Sequence, residues 1–246
     1  MAYDSASLDA PFAALAAFDW GQDAAPLEAI DDAVNATHGD ANGRSDLEKR
    51  LVKILEACPK RAAKEYACRK LSMIGTATAV PALATLLYDA ESSHMARFAL
   101  ERIAAPEATA ALRTALGMLA GGPRVGIMDS LAARGDEESL ATIAGLLAAD
   151  ELTAVAAAKA LGAFRSPAAA DALAAAAPAA VGQVAAAIAD ARFECAEELL
   201  RQNKRTEAAA IYAAIAAATA GKPESRLIEL AATRGLVACA DALAAT

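Results

Sequence analysis

Apolar side chains recur along this chain with the spacing of short amphipathic helices. The stretch 80–103, VPALATLLYDAESSHMARFALERI, holds two such patterns separated by a polar segment, and therefore predicts two helices joined by a turn. One leucine of the second helix returns at steps of 29, 31 and 30 residues, as Leu71, Leu100, Leu131 and Leu161. An apolar anchor of the next helix follows each leucine by 12 residues, as Leu83, Leu112, Ile143 and Leu173. Two helices in a period of this length predict an all-α solenoid, in which each repeat buries its apolar face against its neighbours.

The repeats also resemble a known family. The first-helix pattern VPALATLL-D (80–89) and the second-helix pattern ARFALERI (96–103) are similar to HEAT repeats of the short kind, also called phycobilisome-lyase-type repeats. The second pattern returns in residues 67–75 and 157–164, and the resemblance covers about residues 46–177. It implies a right-handed superhelix of antiparallel helix pairs, with the second helices along the concave face. It says little about activity, because HEAT proteins are mostly protein-binding scaffolds with a few enzymes among them.

The two ends of the chain depart from the repeat. Residues 1–44 predict an acidic helical N-terminal cap, with eight acidic residues and no Lys or Arg among the first 40. Residues 45–178 predict the HEAT-like repeats. After Leu173 the period fails, and AEELLRQNKRTEAAAIYAAIAA (196–217) resembles a tetratricopeptide repeat junction. Residues 179–246 therefore predict tetratricopeptide-like helical pairs and a C-terminal cap, all within one continuous solenoid domain.

Local signals predict several details of these helices. Ser45–Asp46–Leu47–Glu48 has the pattern of a capping box that opens a helix, and Ser166 before Pro167 is a candidate N-cap. Four glycines within helical patterns are expected to allow close packing: Gly117, Gly126, Gly145 and Gly162. In the last helical pair three leucines are expected to face inward: Leu227, Leu230 and Leu236.

Charge is unevenly distributed along the chain. The net charge is −8, yet residues 41–70 carry nine basic residues against four acidic ones. In one interpretation the acidic N-terminal segment folds against this basic segment or balances it. The alternative is a binding site for anions or nucleic acid in residues 44–70. Nucleic acid is the less favoured partner, because the chain is acidic overall and Tyr66 is the only aromatic residue of that segment.

Residues that could carry chemistry are few. The chain has only two histidines, His38 and His94, in different repeats, and none of the His-Glu dipeptides on which the iron-binding HEAT-repeat hydroxylases rely. Its four cysteines are far apart and are expected to be buried free thiols. The sequence therefore predicts no enzyme, no catalytic residue, no cofactor and no metal site. The repeat type leaves a bilin-lyase-like or other enzyme-associated function as an alternative.

The favoured interpretation is a scaffold or adaptor that binds another protein or a peptide along its concave face. Self-association is a further option, because an open solenoid end can pair with its own copy. The candidate partner-binding residues are polar positions of the second helices, off the apolar stripe and expected to be exposed: Lys64, Arg69, Arg97, Glu101, Arg124, Asp129 and Lys159.

The compartment is constrained only weakly by the sequence. The first ten residues, MAYDSASLDA, show neither the basic nor the apolar region of a signal peptide, and no stretch is apolar enough to span a membrane. A cytoplasmic location is therefore the default expectation, with export open if a leader has been removed.

Overall fold

A computed structural model describes residues 4–241 of the chain, apart from the side chains of Glu224 and Asp241. Within this range the regular structure consists of α-helices and short 3₁₀ turns, without a strand, so the all-α prediction is confirmed. The chain divides into two compact units, Met1–Arg134 and Gly135–Thr246, called here the N-terminal and C-terminal units. The three predicted segments and their arrangement as one right-handed solenoid stay predictions.

The N-terminal unit is built in two layers of helices. After α1 and α2, three helix pairs follow in which the first helices α3, α5 and α7 contact one another in order, as do the second helices α4, α6 and α8. Helix α1 packs against both α3 and α4. The bounds are α1 (Asp9–Ala17), α2 (Glu28–Ala36), α3 (Ala41–Ala57), α4 (Arg61–Ile74), α5 (Val80–Leu86), α6 (Ser93–Arg102), α7 (Pro106–Met118) and α8 (Gly121–Ala133).

The C-terminal unit begins with short helices and continues with long ones. Its main helix, α12, packs against α10, α11 and α13, and α13 packs against α14. The bounds are α9 (Leu140–Gly145), α10 (Glu151–Phe164), α11 (Pro167–Ala176), α12 (Gly182–Arg201), α13 (Arg205–Thr219) and α14 (Arg226–Asp241).

The periodic apolar positions form the cores of both units. Every leucine of the second-helix series, and every anchor of the first-helix series, has no measurable exposure to solvent (0%). Burial of a leucine side chain is worth about 1.5–3 kcal/mol, so these positions account for much of the stability of the helix pairs. The repeat arithmetic thus identifies core residues correctly.

Helix α3 begins earlier than its sequence predicts. Asp40 is the N-cap, and its Oδ1 accepts hydrogen bonds from the backbone N–H groups of Asn42 and Gly43 at 3.1 and 3.0 Å. Ser45 therefore lies inside the helix, and the predicted capping box is wrong. Glu48 is buried instead, and accepts hydrogen bonds from the backbone N–H of Thr76 at 2.6 Å and from its hydroxyl at 3.0 Å. The Ser166 cap is confirmed, since its Oγ accepts from the Ala169 N–H at 3.2 Å.

Two other local predictions need correction. A Cβ added at Gly162 would lie 2.9 Å from Ala191 Cα, and one at Gly126 would overlap the Arg97 guanidinium, so close packing is confirmed at these two glycines. At Gly117 and Gly145 an added Cβ would meet no atom within 4 Å, so the prediction is wrong there. Leu227 and Leu230 are 81% and 51% exposed rather than inward-facing, whereas Leu236 is partly buried and packs against the core cluster that includes Tyr212 and Cys239.

The sequence predicts that no stretch of the chain is apolar enough to span a membrane. In the part of the chain that the structure describes, no helix combines the length and the apolar character that a membrane span requires.

Candidate functional site

The second helices of the N-terminal unit bring most of the candidate residues into one layer. Helices α4, α6 and α8 pack side by side, α4 against α6 and α6 against α8. We call their polar side the second-helix face and define it by Lys64, Arg69, Arg97, Phe98, Glu101, Arg124 and Asp129. Lys159, the remaining candidate, is exposed on α10 of the C-terminal unit.

Arg97 and Glu101 form a link between α6 and α8 rather than a free surface. Arg97 Nη1 donates a hydrogen bond to the Gly126 carbonyl at 2.9 Å, and the Ser130 hydroxyl donates to Glu101 Oε1 at 2.7 Å. Because Gly126 has no side chain, the guanidinium can lie directly over its Cα. Both candidates are half-buried, so the expectation that they are exposed is wrong. Their contacts show that they hold the face together.

The other candidates differ in how far they reach into solvent. Arg69 and Asp129 are exposed, whereas Lys64 and Arg124 are half-buried. Arg124 Nε donates to the Leu119 carbonyl and so fixes the turn that leads into α8. Arg69 is therefore the exposed cation among the predicted residues of this face, 3.9 Å from Glu65 on the same helix, and the half-buried Lys64 lies on that helix as well. Their role in partner binding stays a prediction.

Phe98 is a surface residue that the sequence analysis missed. It lies two positions before Leu100, as Arg69 lies two before Leu71 and Asp129 two before Leu131, so it occupies the same place in its repeat. Its side chain is 39% exposed, and the Arg102 guanidinium carbon lies 3.8 Å from the ring centroid. A stacked Arg on an exposed aromatic ring forms a platform typical of protein-binding surfaces. The repeat register was the signal that could have identified it.

Much of the basic segment 44–70 is turned toward the acidic N-terminal segment. Arg50 pairs with Asp9 at 2.8 Å, Lys60 with Asp19 at 2.8 Å and Lys70 with Asp31 at 2.6 Å. Arg44 Nε also donates to the Thr37 carbonyl at 3.2 Å. These contacts support the interpretation in which the acidic segment folds against the basic one.

Tyr66 reinforces the same contact from within α4. It is only 7% exposed, and its hydroxyl group donates a hydrogen bond to Asp31. Asp31 also forms an ion pair with Lys70. Burial, followed by the hydrogen bond to Asp31, raises the pKa of Tyr66. The phenol therefore stays protonated and serves as a donor that anchors α2 on α4.

The structure tests two predictions about chemically reactive side chains, the metal ligands and the cysteines. No three His, Cys, Asp or Glu side chains among them come together in a way that could hold a metal ion. Cys58, Cys68, Cys195 and Cys239 are all buried free thiols, as predicted. Burial raises the pKa of Cys68 to about 12 and that of Cys195 to about 11, so both are neutral at physiological pH. Thiolate character, which reactive cysteines need, is therefore disfavoured at these two positions.

Comparisons with known proteins find matches among solved structures only. No protein-family model and no curated protein matches the chain. Seven solved chains match, among them human deoxyhypusine hydroxylase in complex with glycerol, with 19% identity over 94% of this chain and 96% of the other, and a TM-score of 0.39.

The same comparison corrects one prediction. The sequence analysis predicts that the chain is not an enzyme, whereas the matched structure is that of a hydroxylase. The prediction of no enzymatic activity is therefore withdrawn. A likeness at this TM-score assigns no activity or substrate to the chain.

Proposed function

We propose that this chain binds another protein through the second-helix face, within a right-handed solenoid of HEAT-like helix pairs. The observation that carries the proposal is the side-by-side packing of α4, α6 and α8, which places equivalent repeat positions on one layer. Arg69, Phe98 and Asp129 hold one such position in three successive repeats, and each is exposed.

The chemistry of this face favours a partner segment with both acidic and apolar side chains. Lys64 and Arg69 supply cationic groups, and the Phe98 ring with its stacked Arg102 supplies an apolar contact. Exposed charges of this kind guide association and specificity more than they add affinity. The aromatic platform would contribute most of the binding energy, because hot spots of interfaces are rich in aromatic and Arg side chains.

A matched pair of charge-reversal variants tests the proposal. The test variant is Lys64→Glu with Arg69→Glu on α4, and the control is Lys49→Glu with Lys53→Glu, which changes the net charge equally on exposed positions of α3. Arg97 is left intact, because its contact with Gly126 supports the fold. Affinity purification from extract of the native cell identifies the partner, and calorimetry with the purified partner then gives the dissociation constants.

We expect the α4 variant to bind the partner about tenfold more weakly or worse, and the α3 control to bind like the wild type. Loss of binding by the α3 control alone would contradict the proposal. That result, with a nucleic acid or another anion as the recovered ligand and a steep salt dependence, would favour the alternative at residues 44–70.

A further inference from the structure

The C-terminal unit contains a cavity of about 530 Å³ that the second-helix face does not involve. It lies between α12 and α13, beside the segments that precede α12 and α14. Its walls are mostly aliphatic, with Val181, Ala185, Ile188, Ala189, Ile215 and Ala218 among the lining residues. Small-molecule sites typically have volumes of about 300–1,000 Å³ and walls of this apolar character, so the cavity is large enough for a small organic ligand.

Two charged side chains border this apolar space, and Arg192 is the buried one. Arg192 is only 6% exposed, and its Nε is buried without a hydrogen-bond partner among the described residues. Burial lowers the pKa of Arg192. Cys195 acts to raise this pKa, but its thiol is neutral at physiological pH and supplies no anion. A buried cation without an anionic partner is costly in free energy. A bound anion would therefore stabilise the buried Arg192 guanidinium.

Other features of the cavity also favour negative charge. Lys222 is among its lining residues, and none of the described lining residues is acidic. The N-terminus of α12 at Gly182 also lines the cavity, but it is ten residues, or about 15 Å along the helix, from Arg192 and so serves a different part of the cavity. Aliphatic walls combined with positive charge suit a ligand with an apolar body and an anionic head.

We propose that this cavity binds an amphipathic carboxylate of the fatty-acid class. The carboxylate pairs with the Arg192 guanidinium, whose planar N–H groups match two carboxylate oxygens. The alkyl chain lies along the aliphatic side chains of α12 and α13. Binding would supply the anionic partner that Arg192 lacks among the described residues.

Calorimetric titration of the full chain with octanoate tests this proposal. We expect one site per chain. Octanol, which lacks the carboxylate, and inorganic phosphate, which lacks the alkyl chain, should each bind about tenfold more weakly or worse. Octanol binding as tightly as octanoate would overturn the proposal, since it would leave Arg192 without a role. Absence of octanoate binding at millimolar concentration would overturn it as well.

Two variants locate the site. Arg192→Met keeps a side chain of similar length and removes the buried charge, so it should bind octanoate about tenfold more weakly or worse while melting at a higher temperature than the unliganded wild type. Ala185→Leu keeps the charge and fills the cavity, so it should also weaken binding. The control is Arg201→Met, an exposed position of the same helix. Unchanged octanoate binding by both Arg192→Met and Ala185→Leu would place the ligand elsewhere and end the proposal.

Discussion

Arg97, Arg134 and Arg192 show how differently one type of side chain is placed in these helices. Arg97 lies over Gly126 and joins α6 to α8. Arg134 donates hydrogen bonds to backbone carbonyls at the end of α6, whereas Arg192 is buried beside a cavity. Residue type alone predicts exposure for all three. Only Arg192 carried a sequence signal of burial, since it lies four residues after Ile188 and three before Cys195 on the apolar stripe of α12.

Arg134 is expected to contribute strongly to the N-terminal unit. Its Nη1 donates to the carbonyl oxygens of Leu100, Glu101 and Ile103 at 2.6, 3.0 and 2.8 Å, which caps the C-terminal end of α6. Arg134→Met should lower the free energy of unfolding by about 2 kcal/mol, because the hydrogen bonds from a charged donor to the carbonyls at the end of α6 are lost. Urea denaturation measures the change. Lys53→Met, an exposed control on α3, should stay within about 0.5 kcal/mol of the wild type; an equal loss in both variants would contradict the capping role.

The buried thiols predict a loss of stability in alkali. Their folded pKa values are raised, to about 12 for Cys68 and about 11 for Cys195, whereas a thiol in the unfolded chain ionises near pH 8.5. Their stabilising contribution is therefore complete below about pH 8.5 and declines as the pH rises toward the folded pKa values. Thermal denaturation between pH 8 and 10 should show the decline, by about 1–2 kcal/mol per thiol at pH 10. A variant with both cysteines changed to Ala should have a flatter profile; an identical slope would assign the decline to other groups.

At the scale of elements, the helices were more predictable than their boundaries. The periodic leucines identified the helix pairs, because burial in a two-layer arrangement imposes that period. The start of α3 was missed, since Asp40 and Ser45 both follow the rules for an N-cap and only the burial of Glu48 against Thr76 decides between them. Such a choice depends on a contact 28 residues away in the chain, which local pattern does not encode.

A pair of glycine substitutions tests the packing of α10 on α12. Gly162→Ala should destabilise the chain by about 1–3 kcal/mol, because its new Cβ would lie 2.9 Å from both Cα and Cβ of Ala191. Gly117→Ala is the matched control, since no atom lies within 4 Å of its new Cβ, and it should be neutral or stabilising by up to about 1 kcal/mol. Calorimetric melting temperatures compare the two. Stabilisation by both substitutions would show that α10 and α12 are less closely packed than described.

At the scale of the whole molecule, the sequence was most informative where it is periodic. The helical class, the core anchors and the second helices as carriers of polar residues could all be read from the repeat. The exposure of Leu227 and Leu230 on α14, and the cavity beside Arg192, lie beyond the last regular repeat. There the number of alanines, 75 in the chain, leaves few large side chains to mark which face is buried.

The central claim is that the second-helix face binds a protein partner, and photo-crosslinking tests it most directly. Phe98 is replaced by p-benzoylphenylalanine, which keeps the aromatic ring, and Tyr88, 47% exposed just after the first helix α5, is replaced in the same way as control. We predict an adduct with one protein from position 98 that is absent from position 88. The adduct should also disappear when Lys64 and Arg69 are changed to Glu. Equal adducts from both positions, or an adduct at position 98 that survives the charge change, would contradict the account.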